Sequence, residues 1–187
     1  MVAIDGSHRG DTTVTYDKGG WVFWMMMESM GRERFDEGLR DFITTFKDGP
    51  DYPLLQDFVE LMRRHAADVG AYDAFTQQWF FNVVAPEFTV SDASASLSGE
   101  TWTTSATVTN KGTGYVTVQV AAVNGGKRWA DQSTPLYEDA RATVTLGPGE
   151  SAPVTIESRF KPTEVVVDPD IRVLQLNRAL AKAEIKG

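Results

Sequence analysis

The sequence contains no cysteine among its 187 residues. Disulfides, thiol nucleophiles and thiolate metal ligands are therefore excluded. Histidine is scarce as well, and neither His8 nor His65 has a second histidine at i+4 or a carboxylate at ligand spacing. The sequence therefore predicts no self-contained zinc site. His65 follows two arginines, and we interpret it as the polar end of a helix, where a cation is mildly favourable.

Positive charge and long apolar runs are also lacking. The net charge is -8, and no more than two basic residues occur in a row, which argues against nucleic acid as a partner. The apolar run around residues 21–27 is far shorter than the roughly 20 residues that span a bilayer. Residues 1–16 are polar and do not resemble a signal peptide. The localisation of the protein stays open.

Several catalytic and metal-binding motifs are missing. No Gly-x-Ser-x-Gly occurs, so the sequence has no nucleophile elbow. Gly147-Pro148-Gly149 is not followed by the Lys-Ser/Thr of a phosphate-binding loop, and we interpret it as a turn between strands. Asp168-Pro169-Asp170 supplies two carboxylates, too few for a calcium ion that takes six to eight oxygen ligands.

The most distinctive stretch of the sequence is residues 16–31. Its segment Trp21–Met27 holds three methionines, two tryptophans and a phenylalanine, and this composition predicts a buried helix that ends at Gly31. Tyr16 lies at the start of this helix, where a rigidly placed hydroxyl can donate a hydrogen bond to a reacting group. The alternative is that Tyr16 only packs and caps.

Helical periodicity continues to Pro86. Residues 32–46 carry a single apolar stripe, Pro53 suits the first turn of a third helix, and Tyr72, Phe75, Trp79 and Val83 follow a helical period in a fourth. Residues 1–15 contain turn-forming and β-branched residues, and we expect an irregular, extended arm that leads to Tyr16.

From Glu87 onward the pattern has period two and is interrupted by glycine and proline turns. It predicts six strands, over residues 88–97, 102–110, 115–123, 142–146, 154–160 and 164–168. Short strands at this spacing indicate an immunoglobulin-like antiparallel β-sandwich. For residues 171–186 we expect a last strand to Leu174, followed by a short helix with Ala179, Leu180 and Ala183. The predicted fold class is thus α+β with two domains, a helical segment over 1–86 and a β-sandwich over 87–187.

Three segments together suggest a family. Tyr16-Asp17-Lys18-Gly19-Gly20 before the apolar helix, followed by residues 30–35 and 38–42, resembles the stretch downstream of the zinc site in aminopeptidase N-like gluzincins. Residues 75–90 are similar to the end of that family's thermolysin-like domain and the start of its β-sandwich. Val165–Asp170 is similar to the last strand of that sandwich.

The resemblance implies a peptidase that releases N-terminal residues, with one zinc ion held by two histidines and a glutamate. It implies that Tyr16 is catalytic and donates its hydroxyl to the developing oxyanion, while Lys18 and Gly19 position and pack. The sequence has no His-Glu-x-x-His. We therefore expect a C-terminal fragment of a zinc aminopeptidase that binds no zinc and hydrolyses nothing by itself.

The expected partners follow from the same resemblance. They are the missing N-terminal catalytic half and, through the complete enzyme, peptide substrates. Without that half, the apolar helix is expected to expose a patch that favours self-association. The alternative from a different functional class is a noncatalytic interaction or scaffold module made of helices and an immunoglobulin-like sandwich.

Overall fold

The structure, a computed structural model, describes residues 13–49, 52–126 and 137–185. The chain divides into two units, Met1–Val83 and Val84–Gly187. The first contains helices and the second contains antiparallel strands, which confirms the predicted α+β class with a helical part and a β-sandwich. None of the described helices is long and apolar enough to cross a membrane.

The described part of the first unit begins with a π-helical turn, Thr13–Lys18, that continues directly into α1, Gly19–Met30. The expected extended arm over residues 1–15 is therefore wrong at its described end, because the β-branched residues Thr13, Val14 and Thr15 are helical. The α1 helix supplies a continuous helical template that this local preference does not override. Residues 1–12 lie outside the described residues.

Gly31 separates α1 from α2, Arg32–Phe46, as predicted. Its φ of 81° lies in the left-handed region, which glycine adopts without a Cβ penalty. The third helix, α3, covers Leu55–Arg63, and Asp57 accepts the N–H of Leu54 at 2.8 Å just before it. Pro53 thus lies just ahead of the helix and not in its first turn.

The fourth helix, α4, covers Val69–Trp79, and the carboxylate of Asp68 caps it by accepting the N–H of Ala71 at 2.9 Å. Val83, expected on the apolar face of α4, lies beyond the end of that helix and is 92% exposed.

The helices bury a core of methionine and aromatic side chains, formed by Met26, Met30, Phe35, Phe58, Met62 and Tyr72. Because Met26 and Met30 of α1 belong to this core, α1 is fixed in place, and the π-helical turn that continues into it is held with it.

The second unit has two antiparallel sheets. One contains β1 (Phe88–Ser98), β2 (Thr101–Asn110) and β5 (Ser151–Ser158) in the order β1-β2-β5. The other has the order β4-β3-β6-β7, with β3 at Val116–Asn124, β4 at Glu138–Leu146, β6 at Glu164–Val167 and β7 at Lys182–Glu184. In an immunoglobulin constant domain the fourth strand joins the first, second and fifth. Here β4 pairs with β3 instead.

Alternate residues of the strands point into the core of the sandwich, as the period of two requires. Its largest fully buried apolar side chains include Phe88, Val108, Val120, Leu146, Val165 and Val167. The β1 strand contains a bulge at Asp92, where φ is 54° and the register with β2 shifts. All six predicted strands are present, with bounds that differ by a few residues.

The C-terminal prediction is wrong for the strand to Leu174 and for Ala183, and it is confirmed for Ala179 and Leu180, which lie in a short helix. Residues 171–177 contain no strand, and Arg178–Leu180 form one turn of 3₁₀ helix. Ala183, expected in a helix, lies in β7 opposite Val165 of β6. Strand β6 needs a second antiparallel neighbour to satisfy its outer backbone groups, and this tertiary demand outweighs the helical propensity of the alanines.

Candidate functional site

Tyr16 lies on the π-helical turn, and its side chain is 74% exposed. The turn leads without interruption into α1, where Met26 and Met30 are buried in the helical core. The position of the phenol is thus set by a helix that is fixed two to four turns further along the chain. The accessible hydroxyl of Tyr16 is therefore carried by a turn that is continuous with the packed helix α1.

Lys18 gives the turn a second attachment. Its Nζ donates to the backbone carbonyl of Asn82, with 3.5 Å between the two atoms. Partial burial of the side chain lowers the pKa of Lys18 from its ordinary value. The contact joins the end of the π-helical turn to the segment just after α4, which is consistent with a positioning role for Lys18. Sequence spacing gives no sign of it, because the two residues are 64 positions apart.

Two large apolar side chains of α1 reach the surface. Phe23 is 40% exposed and Trp24 is 46% exposed, so the helix predicted to be buried is buried on only part of its surface. Phe23 still stacks on Phe58, with ring centroids 5.2 Å apart, and meets Phe35 edge to face at 6.3 Å. Four other α1 residues, Val22, Met25, Met26 and Met30, are buried. The α1 helix thus leaves the apolar side chains of Phe23 and Trp24 partly exposed on this unit.

His65 and Asp41 are brought together by the packing of α2 against the end of α3. The Nε2 of His65 lies 3.1 Å from Oδ2 of Asp41, and the histidine side chain is 23% exposed. His65 lies just after α3, as predicted. The sequence missed the pairing because 24 residues separate the partners. Among the described residues, neither this pair nor any other histidine or carboxylate belongs to a group of three that could hold a metal ion.

The carboxylates of the 168–170 segment are occupied by protein donors. Asp168 accepts the N–H groups of Arg172 and Val173 at 2.8 and 3.0 Å, and a guanidinium N–H of Arg178 at 2.8 Å. Asp170 accepts from Arg141. These bonds hold an irregular segment in which Asp168 itself has a φ of 55°. Asp168 and Asp170 therefore stabilise the local structure of the sandwich.

Comparison with known proteins finds no family that matches the sequence and no curated protein that matches it. Part of the chain is similar in fold to the CARDB domain of the PF1109 protein from Pyrococcus furiosus, solved in complex with di-metal ions. That domain is 22% identical, with a TM-score of 0.37, and the match covers 56% of this chain and 90% of the domain.

A further similarity is to beta-glucosidase 3B from Thermotoga neapolitana in complex with glucose. It is 24% identical, with a TM-score of 0.32, and the match covers 55% of this chain and 17% of the glucosidase. At these scores neither likeness bears on activity or ligands. The resemblance to aminopeptidase N stays a prediction.

Proposed function

We propose that this chain is the C-terminal part of a zinc aminopeptidase similar to aminopeptidase N, and that Tyr16 is its catalytic residue. The observation that carries the proposal is the placement of Tyr16, 74% exposed on a π-helical turn that is continuous with a packed helix. Segments of π-helix are rare and occur frequently at functional sites. A buried phenol, or one on an unanchored strand, would not suit the role.

The proposed role of Tyr16 is to stabilise charge. In peptide hydrolysis the carbonyl oxygen becomes an oxyanion, and a hydroxyl already fixed in position donates a hydrogen bond to it without reorganisation. Exposure leaves the hydroxyl accessible to a substrate, and α1 and the Lys18 contact restrict its movement. Lys18 is a positioning residue in this scheme.

The described residues do not fit a zinc site, because they offer no group of three metal ligands. In the proposed enzyme, two histidines and a glutamate that precede this chain hold the zinc ion, which supplies an activated water when bound. We therefore expect the chain alone to retain no zinc after dialysis and to release no N-terminal residues. Its contribution is the oxyanion donor and the sandwich that follows.

The exposed apolar side chains of α1 fit the same proposal. Phe23 and Trp24 lie roughly two turns beyond Tyr16, so a catalytic half that reaches Tyr16 also covers them. In the absence of that half the patch favours self-association of the chain. Sedimentation over a range of concentrations tests this, and a monomer at high concentration that binds no hydrophobic dye contradicts it.

The decisive experiment uses the polypeptide encoded by the complete reading frame, including whatever precedes Met1. We expect it to contain His-Glu-x-x-His, and Tyr16→Phe to lower turnover of an aminoacyl chromogenic substrate about 10²- to 10³-fold. Tyr52→Phe is the matched control, because Tyr52 is 96% exposed and has no proposed role.

Equal activity in the Tyr16→Phe and Tyr52→Phe variants refutes the role of Tyr16. A reading frame with no upstream zinc motif refutes the aminopeptidase itself, and the noncatalytic interaction module then becomes the better proposal. Zinc retained by the 187-residue chain would show that the metal centre has been misassigned.

A further inference from the structure

Strand β3 ends in an Asn-Gly-Gly sequence. Asn124 is its last residue, and Gly125 and Gly126 follow. Gly125 has a φ of 79°, in the left-handed region where a residue without Cβ is unstrained. The absence of a side chain at position 125 also leaves its backbone nitrogen open to close approach by the side chain of Asn124.

We propose that Asn124 is a site of spontaneous deamidation. The backbone nitrogen of Gly125 attacks Cγ of Asn124, the new C–N bond closes a five-membered succinimide, and the side-chain nitrogen leaves as ammonia with the displaced proton. Water then adds to one of the two ring carbonyls and opens the ring. Attack at one carbonyl gives aspartate, and attack at the other gives isoaspartate, in which the main chain runs through the former side chain.

The structure leaves the amide of Asn124 weakly held. Its Nδ2 lies 3.5 Å from Oε2 of Glu138, at the limit of a hydrogen bond, and the contact is exposed. Asn110, by contrast, is fully buried and uses both ends of its amide in hydrogen bonds to backbone groups. A restrained amide cannot swing its Cγ towards the following nitrogen, whereas Asn124 can.

The two remaining asparagines are also restrained, and both precede larger residues. Asn82 donates to the carbonyl of Gln77 at 3.1 Å and is followed by Val83. Asn177 accepts the N–H of Ala179 at 3.2 Å and is followed by Arg178. The chain thus contains three internal controls for the reactivity of Asn124.

The product has a specific structural consequence. Asn124 lies directly opposite Glu138 in the β3–β4 pairing, so deamidation replaces an amide donor by a second carboxylate beside that of Glu138. Like charges directly opposite each other destabilise a strand pair. Isoaspartate additionally lengthens the main chain at the strand end, next to Val123, whose carbonyl accepts the N–H of Thr163. Deamidation therefore loosens this end of the β4-β3-β6 sheet.

The test is to incubate the full chain at mildly alkaline pH and map its peptides by mass spectrometry over time. We expect the Asn124 peptide to acquire the mass change of NH replaced by O, with release of ammonia and formation of isoaspartate. The peptides with the other three asparagines remain unchanged over the same period. In Asn124→Gln this release of ammonia is lost.

A second measurement tests the consequence. Asn124→Asp is expected to lower the urea midpoint of the chain, and Glu138→Gln in the same chain is expected to restore it. Deamidation at any of the other three asparagines as fast as at Asn124 overturns the assignment. So does an Asn124 that remains unchanged in the folded chain while it deamidates in the urea-unfolded chain. An unchanged midpoint in Asn124→Asp, or a decrease that Glu138→Gln fails to reverse, overturns the role of Glu138.

Discussion

The buried side chain of Asn110 joins two segments at the start of the sandwich, and the variant Asn110→Ala tests how much these bonds stabilise it. The residue is fully buried at the end of β2. Its Oδ1 accepts the N–H of Gly112 at 3.0 Å and, more weakly, that of Glu87 at 3.3 Å, while its Nδ2 donates to the carbonyl of Gly114 at 3.0 Å. One amide therefore serves both the segment that precedes β1 and the turn that joins β2 to β3.

The expected loss of stability in Asn110→Ala follows from these three hydrogen bonds. Each of the three is worth about 1 kcal/mol net, and a buried group left unpaired costs about 1–3 kcal/mol. Water partly repairs the loss, because Glu87, Gly112 and Gly114 are only half-buried. We expect Asn110→Ala to destabilise the sandwich by about 3 kcal/mol, which is roughly a hundredfold increase in the population of its open state.

Hydrogen exchange measured by mass spectrometry is the suitable assay, because peptides from β2 and β3 report on the sandwich separately from the helical unit. Asn124→Ala is the matched control, since its amide makes one exposed contact at 3.5 Å, and we expect a change within about 0.5 kcal/mol. If Asn110→Ala costs less than about 1 kcal/mol, or no more than the control, the argument from backbone satisfaction is refuted.

Two further predictions concern a buried hydroxyl and an ion pair. Thr104 is 1% exposed and its Oγ1 has no partner among the described residues, so Thr104→Val should raise the free energy of unfolding by about 1 kcal/mol or more. Thr76→Val removes a hydroxyl that is bonded to a backbone carbonyl and should lower the free energy of unfolding. Urea unfolding of the two variants shows whether their effects have these opposite signs. Arg63 donates to both carboxylate oxygens of Asp73 and lowers its pKa, so the stability from this pair is present above the ordinary aspartate pKa of about 3.9 and is lost as the pH falls through the lower folded value. The urea midpoints of wild type and Asp73→Asn should therefore converge in acid, and a constant difference would contradict the assignment.

Much of the fold could be predicted because local patterns carry it. The period of two from Phe88 onward placed six strands, since alternate side chains must face one core. The apolar stripe of residues 32–46 and the glycine at position 31 placed α2 and its start for similar reasons. For the candidate site, the sequence singled out Tyr16 and Lys18 but gave neither their exposure nor their contacts.

The failures have a common physical cause. Ala183 is a good helix former, yet it lies in a strand because β6 needs a partner for its backbone groups. Thr13 and Val14 favour extended structure by their branching, yet they belong to a π-helical turn that continues α1. The contacts of Lys18 with Asn82 and of His65 with Asp41 join residues distant in the chain, which no local pattern encodes. The sequence by itself determined where helices and strands occur, because their periodicity is local; tertiary structure alone decided which side chains meet and whether Tyr16 faces solvent, because both depend on how the elements pack.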